Sequence, residues 1–217
     1  MRRLALGGIV GPALFAVVVV VCGALRPGYE HASQLISELG ATGTPHAGLM
    51  NLAGFVASGA LIAAFGLSLG AVLPRGRASR AIAVLLGLFG VGLVLAGAFP
   101  CAPGCPQDAP TLHDGVSVAA FVSAIAGIAL AARRFRTIAA WRPLWAYSAV
   151  SSGLALCLLG ALAATVDGGP LRGLWQRLLV GTLFLWCIVA GVRAVRPADG
   201  RSAPTRSGVA ADGPRGL

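Results

Sequence analysis

Six apolar runs, separated by polar or arginine-rich gaps, set the pattern of this chain. They cover residues 4–25, 46–73, 81–99, 111–132 and 144–166. A last run begins between 171 and 178 and ends near 195. At about 1.5 Å per helical residue, each of the first five reaches the roughly 30 Å of a hydrocarbon layer. The expected fold is all-α: a polytopic transmembrane bundle of six helices over residues 1–196, followed by a disordered tail over 197–217 rich in Pro, Gly, Ser and Arg. The first run follows Arg2 and Arg3. It is long for the apolar part of a signal peptide and no Ala-x-Ala site follows it, so it reads as a retained span.

The gaps carry local signals. In the first polar gap a short interfacial helix is expected over 32–39, with Leu35, Ile36 and Leu39 on its apolar side and Gly40 as its stop. Thr44-Pro45 reads as the cap and first residue of the second span. Asn51 and Ser58 stand two turns apart there, on one expected face. Thr111 and Asp114 have capping-box spacing and open the fourth span. Trp141, Trp145 and Tyr147 suit the level of a membrane interface. The charge-free core of the last run, residues 178–192, covers only about 22 Å. Arg177 is therefore drawn toward hydrocarbon, where an unpaired arginine is costly. An acid at similar depth is its expected partner, Asp114 first and Glu38 second.

Composition agrees with the pattern. The chain has 217 residues, is 57% hydrophobic and only 11% charged, and its mean hydropathy is +0.83. Soluble domains carry about 25% charged residues, and a chain this size cannot hide so much apolar surface in its own core. The net charge of +10 does not mark a nucleic-acid partner, because the arginines lie in short gaps instead of one aromatic-interleaved patch. All 17 basic residues are arginine, a composition typical of a GC-rich bacterial genome. Only Arg26, Arg172 and Arg177 fall in the gaps on one side of the six spans. Basic residues favour the cytoplasmic side, so both termini are expected in the cytoplasm and the protein in the cell membrane as a multi-pass chain.

The opposite, outward side gathers the candidate chemistry. All three histidines, His31, His46 and His113, are expected there, with Ser37, Glu38, Asp108, Asp114 and Arg177. Three readings compete. One is a site for a lipid or small solute, lined by Asn51, Ser58, His113, Ser117 and Arg177; His113 and Ser117 are i,i+4 on one helix face. Another is a membrane-embedded metal-dependent hydrolase, with the histidines on zinc and Asp108 or Asp114 as ligand or base. No His-Glu-x-x-His motif supports it, and no nucleophile elbow surrounds Ser37 for a serine variant. The third is a structural or partner-binding protein in which His46 and His113 only cap helices. No cofactor motif is present, so none is expected; membrane lipids are the expected partners. Cys101 and Cys105 flank Pro103-Gly104 in the central loop and are expected as a disulfide, an outward position allowing it; a metal pair would share the spacing, but two thiolates alone are weak evidence for one. His46-Ala47-Gly48 and His113-Asp114-Gly115 hint at a duplicated two-helix unit.

Three blocks carry a resemblance. Pro27 to His31, Ile36 to Thr42 and Met50-Asn51 form the first; Gly97 to Cys101, Cys105-Pro106 and His113-Asp114 the second; Gly173 to Arg177 the third. Together they resemble the domain of unknown function 998 family over residues 5–195. The resemblance implies a bacterial integral membrane protein with about six helices and carries no activity. It adds emphasis to Ser37, Glu38, Asn51, His113, Gln176 and Arg177.

Overall fold

The structure, a computed structural model, describes residues 2–106, 111–165 and 168–196. Within them lie six helices long and apolar enough to cross a membrane: α1 (Arg3–Leu25), α2 (Ala47–Val72), α3 (Arg77–Ala98), α4 (Leu112–Phe135), α5 (Arg142–Ala163) and α6 (Arg172–Val195). Each packs on its neighbours in the chain, and α6 closes the ring against α1. Outward faces carry large apolar side chains such as Val20, Leu67, Val150 and Leu156, each more than half exposed, as lipid contact requires. Inside, Phe15, Phe55, Phe89 and Phe184 meet edge to face or tilted, with centroids 5.1–6.1 Å apart.

Small residues allow a close contact between α2 and α3. A Cβ on Gly59 would stand 2.6 Å from the Gly90 carbonyl oxygen, so these backbones touch only because both positions lack side chains. At one end of the bundle the arginine gaps are tied together. The Pro74 carbonyl accepts from Ser79 Oγ at 2.7 Å and from Arg134 Nη2 at 3.4 Å, and Arg193 Nε donates to Ala140 O at 2.9 Å. Phe135 stacks on Trp141 at 4.8 Å.

Several local expectations are corrected. Residues 32–33 form a turn, Gln34 a bend and Leu35 is extended; only Ile36–Leu39 is helical, as a single 3₁₀ turn ending at Gly40. Leu35, Ile36 and Leu39 are buried as expected. Thr44 does not cap α2. Its hydroxyl donates to Ala41 O at 2.8 Å, and His46 precedes the helix with a left-handed φ of 61°. After an α-helical turn, Ala47–Leu49, the second span runs as a π-helical stretch, Met50–Ala57, which changes the register between Asn51 and Ser58. Asn51 Nδ2 donates to Gly40 O at 2.8 Å, while Ser58 is fully buried and donates back to Ala53 O at 3.3 Å. As the short charge-free core requires, the last span takes in both arginines: α6 starts at Arg172 and holds Arg177 in its second turn. Thr111 caps α4 as read: its backbone N–H donates to Asp114 Oδ2 at 2.8 Å and its hydroxyl accepts from Asp114 N at 3.4 Å. The tail over 197–217 and Asp108 lie outside the described residues.

Candidate functional site

At the other end of the bundle the first loop, the central loop and the start of α6 are knitted into one layer. Leu174 N–H donates to Ala32 O at 2.8 Å, and Ile36 N–H to Gln176 Oε1 at 2.6 Å. Thr42 donates to Cys101 O through its backbone N–H at 3.0 Å and its hydroxyl at 3.3 Å. Leu35, Ala41, Cys101 and Cys105 form a small apolar cluster against Leu162 of α5. Cys101 and Cys105 stand as a disulfide pair with Cα atoms 5.1 Å apart. This layer fixes the 3₁₀ turn, and with it Ser37 and Glu38, which are each 6% exposed.

Tyr29 is the hub on the α1 side. Arg26 and Arg177 sit over its ring at 5.4 and 5.5 Å from the centroid, within cation–π range. Its hydroxyl donates to Leu35 O at 2.8 Å and accepts from Arg177 Nη2. Burial pushes the Tyr29 phenol above its ordinary value, opposed by the Arg177 charge and hydrogen bond. Arg177 Nη1 donates to the carbonyls of Gln34 at 2.8 Å and Gly173 at 2.9 Å. Asp114 is not among its partners. Gln176 and Arg177 are successive on α6 and project about 100° apart, so Arg177 faces α1 whereas Gln176 faces α4. The buried Glu38 carboxylate is held by Leu35 N–H at 2.9 Å and Gln34 Nε2 at 3.0 Å. Arg26 reaches the Glu38 backbone carbonyl at 2.7 Å.

Two cavities meet on the α4 side. The inner one is small, 40 Å³, walled by the phenylalanines of the core. By volume it holds only a few water molecules. The outer one, 250 Å³, lies between α4, α5 and α6 under the first loop and is partly open. Ser37, His113, Ser117, Phe121 and Gln176 line both and so form the septum between them. His113, Ser117 and Phe121 are one stripe at four-residue spacing; Gln176, Val180 and Phe184 are the facing stripe on α6. Asp114 and Arg172 stand at the outer cavity. A third, apolar groove between α1 and α6 has His31 and Arg177 at its mouth.

The sequence-predicted residues thus divide. Ser37, His113, Asp114, Ser117 and Gln176 come together. Asn51 and Ser58 turn to backbone carbonyls instead of lining either of these cavities. His31 packs on Tyr29 at 5.0 Å, and His46 is exposed. The three histidines therefore do not converge, and among the described residues no group of three His, Cys, Asp or Glu side chains is placed to hold a metal. Tyr29 and Gln34, hydrogen-bonded throughout the layer, and Arg172 and Phe121, at the cavities, went unassigned in the sequence. The four-residue spacing of Phe121 from Ser117, and of Arg172 from Gln176, was the available signal.

The ring of six lipid-length helices with a polar layer at one end defines a polytopic integral membrane protein. The family model described as "Protein of unknown function (DUF998)" matches residues 9–193. The chain belongs to that family. Neither a curated protein nor a solved structure matches the chain at a significant level.

Proposed function

We propose that this protein binds a lipid at the outward end of the bundle, in the cavity between α4, α5 and α6, and holds or passes it from there. The observation that carries the reading is the outer cavity itself. It is partly open, and polar side chains line it beside apolar ones: Ser37, His113, Ser117 and Gln176. Apolar residues Val118, Leu159 and Leu162 complete it, so an amphiphile meets a wall of matching polarity at each end. A metal-dependent hydrolase is favoured less, because the histidines stand apart.

The arginine distribution supports cytoplasmic termini and a place in the cell membrane, with residues 1–196 as the membrane domain and 197–217 as a cytoplasmic tail. Reporter fusions in the 133–142 gap should signal from the cytoplasm; a periplasmic or extracellular signal would invert the site. Protein purified in mild detergent should release lipid in native mass spectrometry. Ser117→Trp and Val118→Trp, which fill the cavity from its wall and rim, should reduce that lipid while leaving the melting temperature near wild type. Wild-type protein without lipid, or equal lipid in both filled variants, would contradict the reading.

A further inference from the structure

The hydrogen-bonding capacity left over at the septum points to a particular headgroup. His113 is 5% exposed, and its Nδ1 lies 3.1 Å from both the Ala96 and the Phe99 carbonyl oxygens. Two carbonyls can only accept, so Nδ1 carries a proton, and in the neutral ring Nε2 is an acceptor. Among the described residues Nε2 has no hydrogen-bond partner, nor is it among the polar atoms sealed away without one. Gln176 spends its Oε1 on Ile36 N–H, which leaves its amide N–H groups to donate. The Ser37 and Ser117 hydroxyls make no hydrogen bond among the described residues. The wall therefore offers several uncharged donors and, in the neutral form of His113, one acceptor nine-tenths buried.

We propose that the occupant, resting on the lipid-binding reading above, is an uncharged glycerolipid with a free hydroxyl beside an acyl ester. The ester carbonyl accepts from Gln176 and Ser117, and the hydroxyl donates to His113 Nε2. A phosphodiester headgroup has no proton to give and would leave that nitrogen unpaired beside an anion, a mismatch that buried sites penalise. Arg172 and Asp114 at the outer cavity have opposite signs and together give an anion little net attraction. The outer cavity, 250 Å³, takes a glycerol backbone with its ester but not the chains. Those lie outside, along the exposed Val118 and Val122 of α4.

The test is displacement of a fluorescent diacylglycerol from the full-length protein in phosphatidylcholine nanodiscs. Competitors are dioleoylglycerol, its O-methyl ether, and dioleoylphosphatidylmethanol, a phosphodiester with no proton to donate. Dioleoylglycerol should displace the probe at about tenfold lower concentration than either other lipid, the size expected of one unmade buried hydrogen bond. Gln176→Glu keeps the acceptor for Ile36 N–H but replaces the free amide with oxygen, and should weaken probe binding about tenfold. Equal or better displacement by the methyl ether or by the phosphatidylmethanol overturns the headgroup assignment and leaves the lipid site standing. Unchanged probe binding in Gln176→Glu also overturns the assignment. A probe that does not bind, from protein that also carries no lipid, overturns both.

Discussion

Replacing Arg177 with methionine keeps an apolar stem in the groove and removes the guanidinium. Two hydrogen bonds from a charged donor are lost, to the Gln34 carbonyl and the Tyr29 hydroxyl. Such bonds contribute about 1.5–3 kcal/mol each. The Gly173 carbonyl belongs to the ladder of α6 and loses least. Arg177 Nε is buried without a hydrogen-bond partner, so removing it relieves a cost that offsets part of the loss. Arg177 is only half-buried, which lowers the figure again. The net is about 3 kcal/mol, or about 6–12 °C in melting temperature for a chain this size. Tryptophan fluorescence of the detergent-purified protein would follow the melt. A double-mutant cycle then locates the partner. Arg177→Met with Tyr29→Phe should show a coupling of about 1 kcal/mol or more, whereas with Asp114→Asn the losses should add to within about 0.5 kcal/mol. A net loss under about 1 kcal/mol, or a larger coupling to Asp114 than to Tyr29, would refute the reasoning.

Other consequences are as direct. Gly173→Ala places a Cβ against the Gln34 carbonyl and 2.7 Å from the His31 carbonyl, so it should cost about 1–3 kcal/mol by forcing the first loop off α6; an unchanged melt would show that the loop is not docked there. His46→Gly removes a left-handed β-carbon at φ 61° and should leave stability equal or higher by up to about 1 kcal/mol, whereas a large loss would reveal a role for the imidazole. Cys101 and Cys105 should resist alkylation until a reductant is added, and labelling of both without reductant would disprove their bond. Burial raises the Tyr29 phenol above its usual value of 10.0. Because the folded value exceeds the unfolded one, the neutral phenol's contribution is complete below that pH and is lost as pH climbs through the folded value. Melts of Tyr29→Phe should lack this part of the alkaline decline, and an identical decline in both proteins would contradict it.

The spans were legible because length and hydropathy alone decide them, and the Thr111–Asp114 capping box because its partners lie three residues apart. Side-chain direction was harder. The short charge-free core correctly placed Arg177 within the last span, but a linear sequence ranks acids by depth and not by azimuth. The one-residue step from Gln176 to Arg177 sends one toward α4 and the other toward α1. Asn51 was misread for a related reason. An α-helical period set it beside Ser58, and the π-helical Met50–Ala57 stretch breaks that period. Tyr29 and Gln34 were visible only as loop residues, since their partners are carbonyls of distant backbone that no sequence pattern announces. His113 and Ser117 were found together because helical spacing is local, and their meeting with Ser37 and Gln176 needed the ring to close.

The site itself is tested most directly by photo-crosslinking a diazirine-bearing diacylglycerol to the full-length protein in membranes, then mapping the modified peptides by mass spectrometry. A lipid held between α4, α5 and α6 predicts adducts concentrated on Ser117 to Phe121 and Leu159 to Ala163, and their loss in Ser117→Trp. Adducts confined to the groove between α1 and α6, or spread evenly over all six helices, would contradict it.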